Sequence, residues 1–89
     1  MAYFVVSYQL NQVGQNYQSL WNEFERLHAQ KAQRTVYLVD CDAVDASSLL
    51  AHFRKFIDGN DMMLVTEMVN RPASYRSYEG TKAWLDDRF

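Results

Sequence analysis

Carboxylates, imidazoles and a thiol are the side chains best able to hold a metal or move a proton. This chain gathers several of them. Asp40-Cys41-Asp42, with Asp45 three residues on, offers clustered oxygen ligands of the kind a hard divalent cation takes. The run lacks the calcium-loop pattern, with no Gly at the sixth place and no Glu at the twelfth. A structural role accounts for the same residues more simply: Asp42 and Asp45 cap a turn and a helix, where negative charge meets the helix dipole. His28 and His52 have no metal-ligand partner at short spacing. Cys41 falls in a strand-like run and reads as a small hydrophobe. The glycines stand singly at 14, 59 and 80, so no phosphate-cradling loop is present, and no Ser-His-Asp or Cys-His arrangement stands out. Met62 and Met63 read as sheet core.

A second kind of chemistry is written in Arg71-Pro-Ala-Ser-Tyr75-Arg76-Ser-Tyr78, which interleaves cations with aromatic rings. Such a segment can hold a phosphate backbone and stack bases. Lys31 and Arg34, with Arg54 and Lys55, would widen the patch. The alternative is an edge strand that docks its tyrosines on a sheet and leaves its arginines in water.

These groups need elements to position them. Tyr3 to Leu10 reads as a strand, with Phe4, Val6, Tyr8 and Leu10 on one face and Tyr3, Val5, Ser7 and Gln9 on the other. Asn16 is a plausible helix cap. Tyr17, Leu20, Trp21, Phe24 and Leu27 then follow helical spacing, which predicts a helix over 17–29. Thr35 to Cys41 reads as a strand. Asp45 or Ser47 can cap a second helix, with Ala46, Leu49, Leu50, Phe53, Phe56 and Ile57 as its apolar stripe, and Gly59 suits a left-handed stop. Met62 to Val69 reads as a strand, Tyr75 to Tyr78 as a short edge strand, and Thr81 to Arg88 as a last helix with Trp84 and Leu85 buried. The order implies a two-layer α/β sandwich with both main helices on one sheet face. A ferredoxin-like split βαβ with a short extra C-terminal helix needs one more strand, which Ala29 to Arg34 can supply as a hairpin arm. The other sheet face would then be bare and apolar, which points to a homodimer.

The 89 residues carry a net charge of −2, with 48% apolar and 22% charged residues, which describes one small domain (1–89) rather than two or a disordered tail. Two Trp, six Tyr and five Phe supply the core of a chain too short to bury much else. The balance excludes a protein that coats nucleic acid by bulk charge and leaves room for a local basic patch. No apolar run approaches a bilayer span, and the N-terminal residues do not read as a signal peptide. One cysteine cannot form an internal disulfide, which fits a reducing cytoplasm.

The string Phe4-Val-Val-Ser-Tyr8-Gln9-Leu10-Asn11 resembles the opening strand of a family of small bacterial and phage proteins: the non-integrase subunit of CRISPR adaptation, VapD-type toxins and SinR-like proteins. The likeness to the SinR-like branch continues from Asp45 to Asp58, from Asn60 to Glu67 and at Trp84-Leu85. It implies a ferredoxin-like fold and a homodimer. It also implies a catalytic aspartate at the end of the first strand, one from each subunit, proposed to bind a metal for phosphodiester hydrolysis. Here that position is Gln9, a neutral amide that supplies no anionic ligand and no general base. The resulting expectation is a homodimeric binding module without nuclease activity and without a cofactor. It would dock nucleic acid or a protein partner through Lys31, Arg34, Arg71, Tyr75, Arg76 and Tyr78. Two alternatives stand beside it: a Mg²⁺-dependent nuclease or toxin-like enzyme using Asp40 or Asp42, and a phage or mobile-element protein-interaction factor.

Overall fold

A computed structural model describes residues 2–11 and 16–89. Four strands and three helices follow one another: β1 (Ala2–Gln9), α1 (Gln18–Arg26), β2 (Gln30–Gln33), β3 (Val36–Cys41), α2 (Ala46–Phe53), β4 (Met62–Glu67) and α3 (Thr81–Arg88). A single 3₁₀ turn, Arg54–Phe56, extends α2. The sheet order is β2-β3-β1-β4 and every neighbouring pair is antiparallel. β1 and β2 therefore run the same way with β3 between them, and β3 and β4 flank β1 in the same manner. This is the ferredoxin-like split βαβ, with α3 added. No helix among the described residues is long and apolar enough to cross a membrane.

The strand faces follow the alternation of β1. Phe4, Val6 and Tyr8 are buried against α1 and α2 together with Leu20, Phe24, Leu49 and Phe53. Rings fill this layer: Phe24 lies parallel to Tyr37 with centroids 3.8 Å apart, and Phe53 is 4.9 Å from Phe24. Burying each such large side chain contributes about 1.5–3 kcal/mol.

α1 starts near its expected place. Asn16 Oδ1 accepts the Gln18 N–H at 2.8 Å, satisfying one otherwise orphan donor of the first turn. The helix stops three residues short of Ala29. His28 takes a left-handed φ of 53°, its N–H bonds Glu25 C=O, and Ala29 N–H bonds Phe24 C=O. That pair of bonds is a Schellman stop, made here without glycine. At α2 the expected cap is present: Asp45 accepts from Ser48 N–H at 2.8 Å. Gly59 does not take the left-handed conformation expected of it. Among the described glycines only Gly80 does, with φ 94°, and a Cβ there would lie 2.8 Å from Gln30 Oε1.

Two expectations are corrected on the second sheet face. It is not bare: α3 packs Trp84 and Leu85 onto Ala32, Leu38 and Met68, with Tyr3, Val5 and Val36 around them. Tyr3 meets Trp84 and Phe89 edge-on, at centroid distances of 6.1 and 5.2 Å. The premise that Tyr3 and Val5 need a second subunit to cover them is thus removed. Nor is Tyr75 to Tyr78 a strand. Tyr78 N–H donates to Ala32 C=O at 2.9 Å, but Arg76 takes a left-handed φ of 56°, which breaks an extended ladder.

Candidate functional site

The two chemistries of the sequence occupy different parts of the sheet. Gln9 ends β1 opposite Met62 and is exposed. Its amide donates to Asn11 Oδ1 at 2.9 Å. Asn11 in turn donates its backbone N–H to Asp61 Oδ1 at 2.7 Å and its side-chain amide to Asn60 C=O at 2.8 Å. Asp61 is the nearby carboxylate of this network, and both of its oxygens are already engaged. Oδ1 also accepts from the Tyr17 hydroxyl at 2.7 Å, and Oδ2 from Asp58 N–H at 2.8 Å. Beside Gln9 lies a shallow cavity of about 450 Å³ lined by Ser7, Tyr8, Thr35, Met62, Met63 and Leu64. Its lining is uncharged. Such a site can hydrogen-bond and cover apolar surface, and it offers no general base.

Asp40 and Asp42 do not complete this site. Asp40 pairs in register with Tyr3, at the other end of β1 from Gln9. Six residues of strand, about 20 Å, separate the two ends. Asp40 Oδ2 is bound to Arg88 Nε at 2.8 Å. Asp42 is exposed, and Asp45 is held below the usual carboxylate range by the Ser48 N–H it caps. A groove of about 580 Å³ runs past Arg26, Asp40, Cys41, Asp42, Ser48 and His52. Its titratable groups are largely committed within the chain, since His52 and Arg26 both bind Glu23. Among the described residues no group of three or more His, Cys, Asp or Glu is placed to hold a metal ion.

The cation and aromatic residues are partly brought together. The Tyr78 N–H bond to Ala32 C=O seats the 71–78 loop on the outer edge of β2, and Gln30 Nε2 reinforces it by donating to Glu79 C=O at 3.0 Å. Lys31 and Arg34 belong to that same edge and its turn. Lys31 Nζ lies 5.9 Å from the Tyr37 ring centroid, and Arg34 C=O accepts the Tyr8 hydroxyl at 3.2 Å. Tyr75 is 82% exposed, and the Arg76 guanidinium lies 5.8 Å from its ring centroid. Tyr78 is 47% exposed. Lys31, Arg34 and Arg76 make no ion pair among the described residues.

Arg71 is placed otherwise than expected. It is bound to Asp86 of α3 at 2.7 Å, and Asp86 also holds Lys82 at 2.9 Å. Lys82 first and then Arg71 keep the Asp86 carboxyl below the usual range. Arg54 and Lys55 do not widen the patch either. They lie on the turn after α2, and Arg54 borders a cavity beside Met62 and Met63 of β4, at the opposite edge of the sheet from β2.

Sequence reasoning missed one feature of this rim. The Tyr8 hydroxyl is pushed up to about 12, chiefly by burial and further by Tyr37 and Tyr78. Burial raises Tyr37 as well. Alternation alone places Tyr8 in the core. Nothing in one strand signals that its hydroxyl end reaches the β2–β3 turn. No protein-family model matches the chain.

Proposed function

We propose that the chain is a non-catalytic, homodimeric binding module that holds single-stranded nucleic acid along the β2 edge. The observation that carries this reading is that Lys31, Arg34 and Arg76 make no ion pair among the described residues and belong to the β2 edge, its turn and the loop seated on it, where the rings of Tyr75 and Tyr78 are exposed. Unpaired guanidinium groups can neutralise phosphates, and exposed tyrosines can stack bases without sequence preference. The sequence likeness to the small adaptation and SinR-like proteins supports the same reading. Gln9 at the position of their aspartate, beside a cavity with an uncharged lining, supports a module without the hydrolytic step.

The test is fluorescence anisotropy with labelled single-stranded RNA and DNA over a salt titration. Binding should weaken as salt rises, and Arg34→Ala and Arg76→Ala should each lower affinity and flatten the salt slope by about 1. The same oligonucleotides should stay intact with Mg²⁺ or Mn²⁺ present. No binding at low salt would leave the protein-partner reading in its place. Cation-dependent cleavage lost in Asp40→Ala would establish the enzyme instead.

A further inference from the structure

Gln9 is exposed, yet its amide is held in place. Its Nε2 donates one hydrogen to Asn11 Oδ1, and Asn11 is itself tied to Asp61 and Asn60. No described hydrogen bond takes the second N–H or Oε1, so one donor and one acceptor remain side by side at the end of β1. A free surface glutamine would lose rotamer freedom on meeting a ligand; this one is already ordered. The cavity beside it has apolar walls and no charge. Ser7 and Gln9 share a sheet face with their register partners Leu64 and Met62, which are 69% and 53% exposed. α3 packs on the other end of that face, at Tyr3 and Val5. Apolar walls with a few fixed polar groups orient a flat, uncharged ligand. A cation stands just outside. Arg34 precedes the lining residue Thr35, so their Cα atoms are about 3.8 Å apart, and Arg34 makes no ion pair among the described residues.

We infer that this cavity is a base-reading subsite for adenine, with Gln9 as the reader and Arg34 on the phosphate of the same nucleotide. An amide presents N–H and C=O together, which match the N7 acceptor and the N6 amino donor of adenine. Guanine shows two acceptors, O6 and N7, on the corresponding edge, and one of them would oppose Gln9 Oε1. A pyrimidine gives Met62 and Leu64 a smaller face to cover. The uncharged lining suits a base and leaves its phosphate outside, where Arg34 begins. Phosphate contacts position a strand and base contacts give it a sequence preference. The inference rests on the nucleic-acid reading above and deepens it at one point. Exposed tyrosines stack any base, whereas Gln9 selects one.

The experiment is fluorescence anisotropy at low salt with labelled oligodeoxyadenylate, oligothymidylate and oligodeoxycytidylate of equal length. A fourth oligonucleotide carries, in place of adenine, the purine that lacks the 6-amino group. The wild type should bind oligodeoxyadenylate about five- to tenfold more tightly than the two pyrimidine strands, the low end of what a bidentate amide contact discriminates. The purine strand should lose most of that preference, although its rings still stack. Gln9→Ala, at an exposed position, should bind all three natural strands alike, near the wild-type affinity for oligothymidylate. Gln9→Glu should lose the adenine preference and rank oligodeoxycytidylate first, since a carboxylate accepts from the cytosine amino group. Circular dichroism establishes that each variant folds, and the purine strand puts the same question to the unaltered protein. An adenine preference that survives Gln9→Ala or removal of the 6-amino group overturns the inference. Equal, salt-dependent binding of every strand by the wild type overturns it too and leaves the binding-module reading standing. No binding of any strand overturns both.

Discussion

The Glu23 carboxylate of α1 meets the His52 ring of α2 at 2.5 Å through Oε2 and Nε2, and the same carboxylate takes two hydrogen bonds from Arg26. Glu23 is the one buried acidic residue among those described. Its carboxyl falls from an ordinary 4.5 to about 2, mainly through the Arg26 bonds, with His52 adding to them against the opposing effect of burial. A carboxylate depressed on folding stabilises the folded state above the unfolded value. That contribution fades as pH falls through the folded one. Glu23→Gln should therefore cost about 1–2 kcal/mol near neutral pH, a modest figure because Arg26 is largely exposed. The gap from wild type should narrow between pH 4.5 and 2. Urea midpoints across that range measure it, and a gap independent of pH would show that the charge contributes nothing.

Arg88 holds the C-terminal helix down by two different contacts. Its Nε binds Asp40 Oδ2 at 2.8 Å, and its guanidinium carbon sits 4.0 Å from the Trp84 ring centroid. The other oxygen of Asp40 is buried and has no hydrogen-bond partner among the described residues, so Arg88 carries most of the compensation for that charge. Arg88→Ala should cost about 2–3 kcal/mol and shift the Trp84 fluorescence toward that of exposed indole. Arg88→Lys should recover only part of the loss, since an ammonium has no flat face to lie on indole while it donates to the carboxylate. Adding Asp40→Asn to Arg88→Ala should recover stability, because the stranded charge is then gone. Equal stability of the single and double variants would place the loss in packing alone.

His28 ends α1 in the left-handed region that glycine adopts freely. A side chain there costs about 1–2 kcal/mol, partly offset by the greater freedom glycine has when unfolded. His28→Gly should raise stability by about 0.5–1 kcal/mol with the fold unchanged. The exposed ring makes no described hydrogen bond from its side chain that would be lost. A destabilised His28→Gly would reveal a contribution of the imidazole at the helix end.

How far these features were legible depends on the length scale of the interaction behind them. Alternation assigned Phe4, Val6 and Tyr8 to the helix-covered face because strand period is a local property. Helical spacing likewise placed Leu20 and Phe24 inward. β2 was legible only as an available segment. Gln-Lys-Ala-Gln has no alternation of its own, and its strand state comes from pairing with β3. The helix α3 and its buried Trp84–Leu85 pair were legible, but the sheet face on which it docks was not. Only Thr81, Trp84 and Leu85 of that helix are buried, against residues as distant as Tyr3 and Leu38. The cation and aromatic segment was visible as composition. That Arg71 is paired with Asp86 while Arg76 is not depends on where α3 lies, which no spacing within 71–78 encodes.

Arg76 joins conformational strain to the proposed function. It is the second non-glycine residue in the left-handed region, on an exposed loop where glycine would be accommodated freely. His28 shows that such strain also occurs at a simple helix stop, so what singles out Arg76 is that the strained residue is also a cation of the proposed interface. The two demands can be separated. Arg76→Gly removes the strain together with the cation, whereas Arg76→Ala keeps the strain and removes the cation. If the residue serves nucleic acid, Arg76→Gly should be more stable than wild type by up to about 1 kcal/mol, and melt correspondingly higher, while binding single-stranded RNA or DNA more weakly. Arg76→Ala should bind as weakly without the gain in stability. Thermal melts and anisotropy titrations on the same preparations read both quantities. A glycine variant that is more stable and binds as tightly as the wild type would remove Arg76 from the interface and leave Lys31 and Arg34 to carry it.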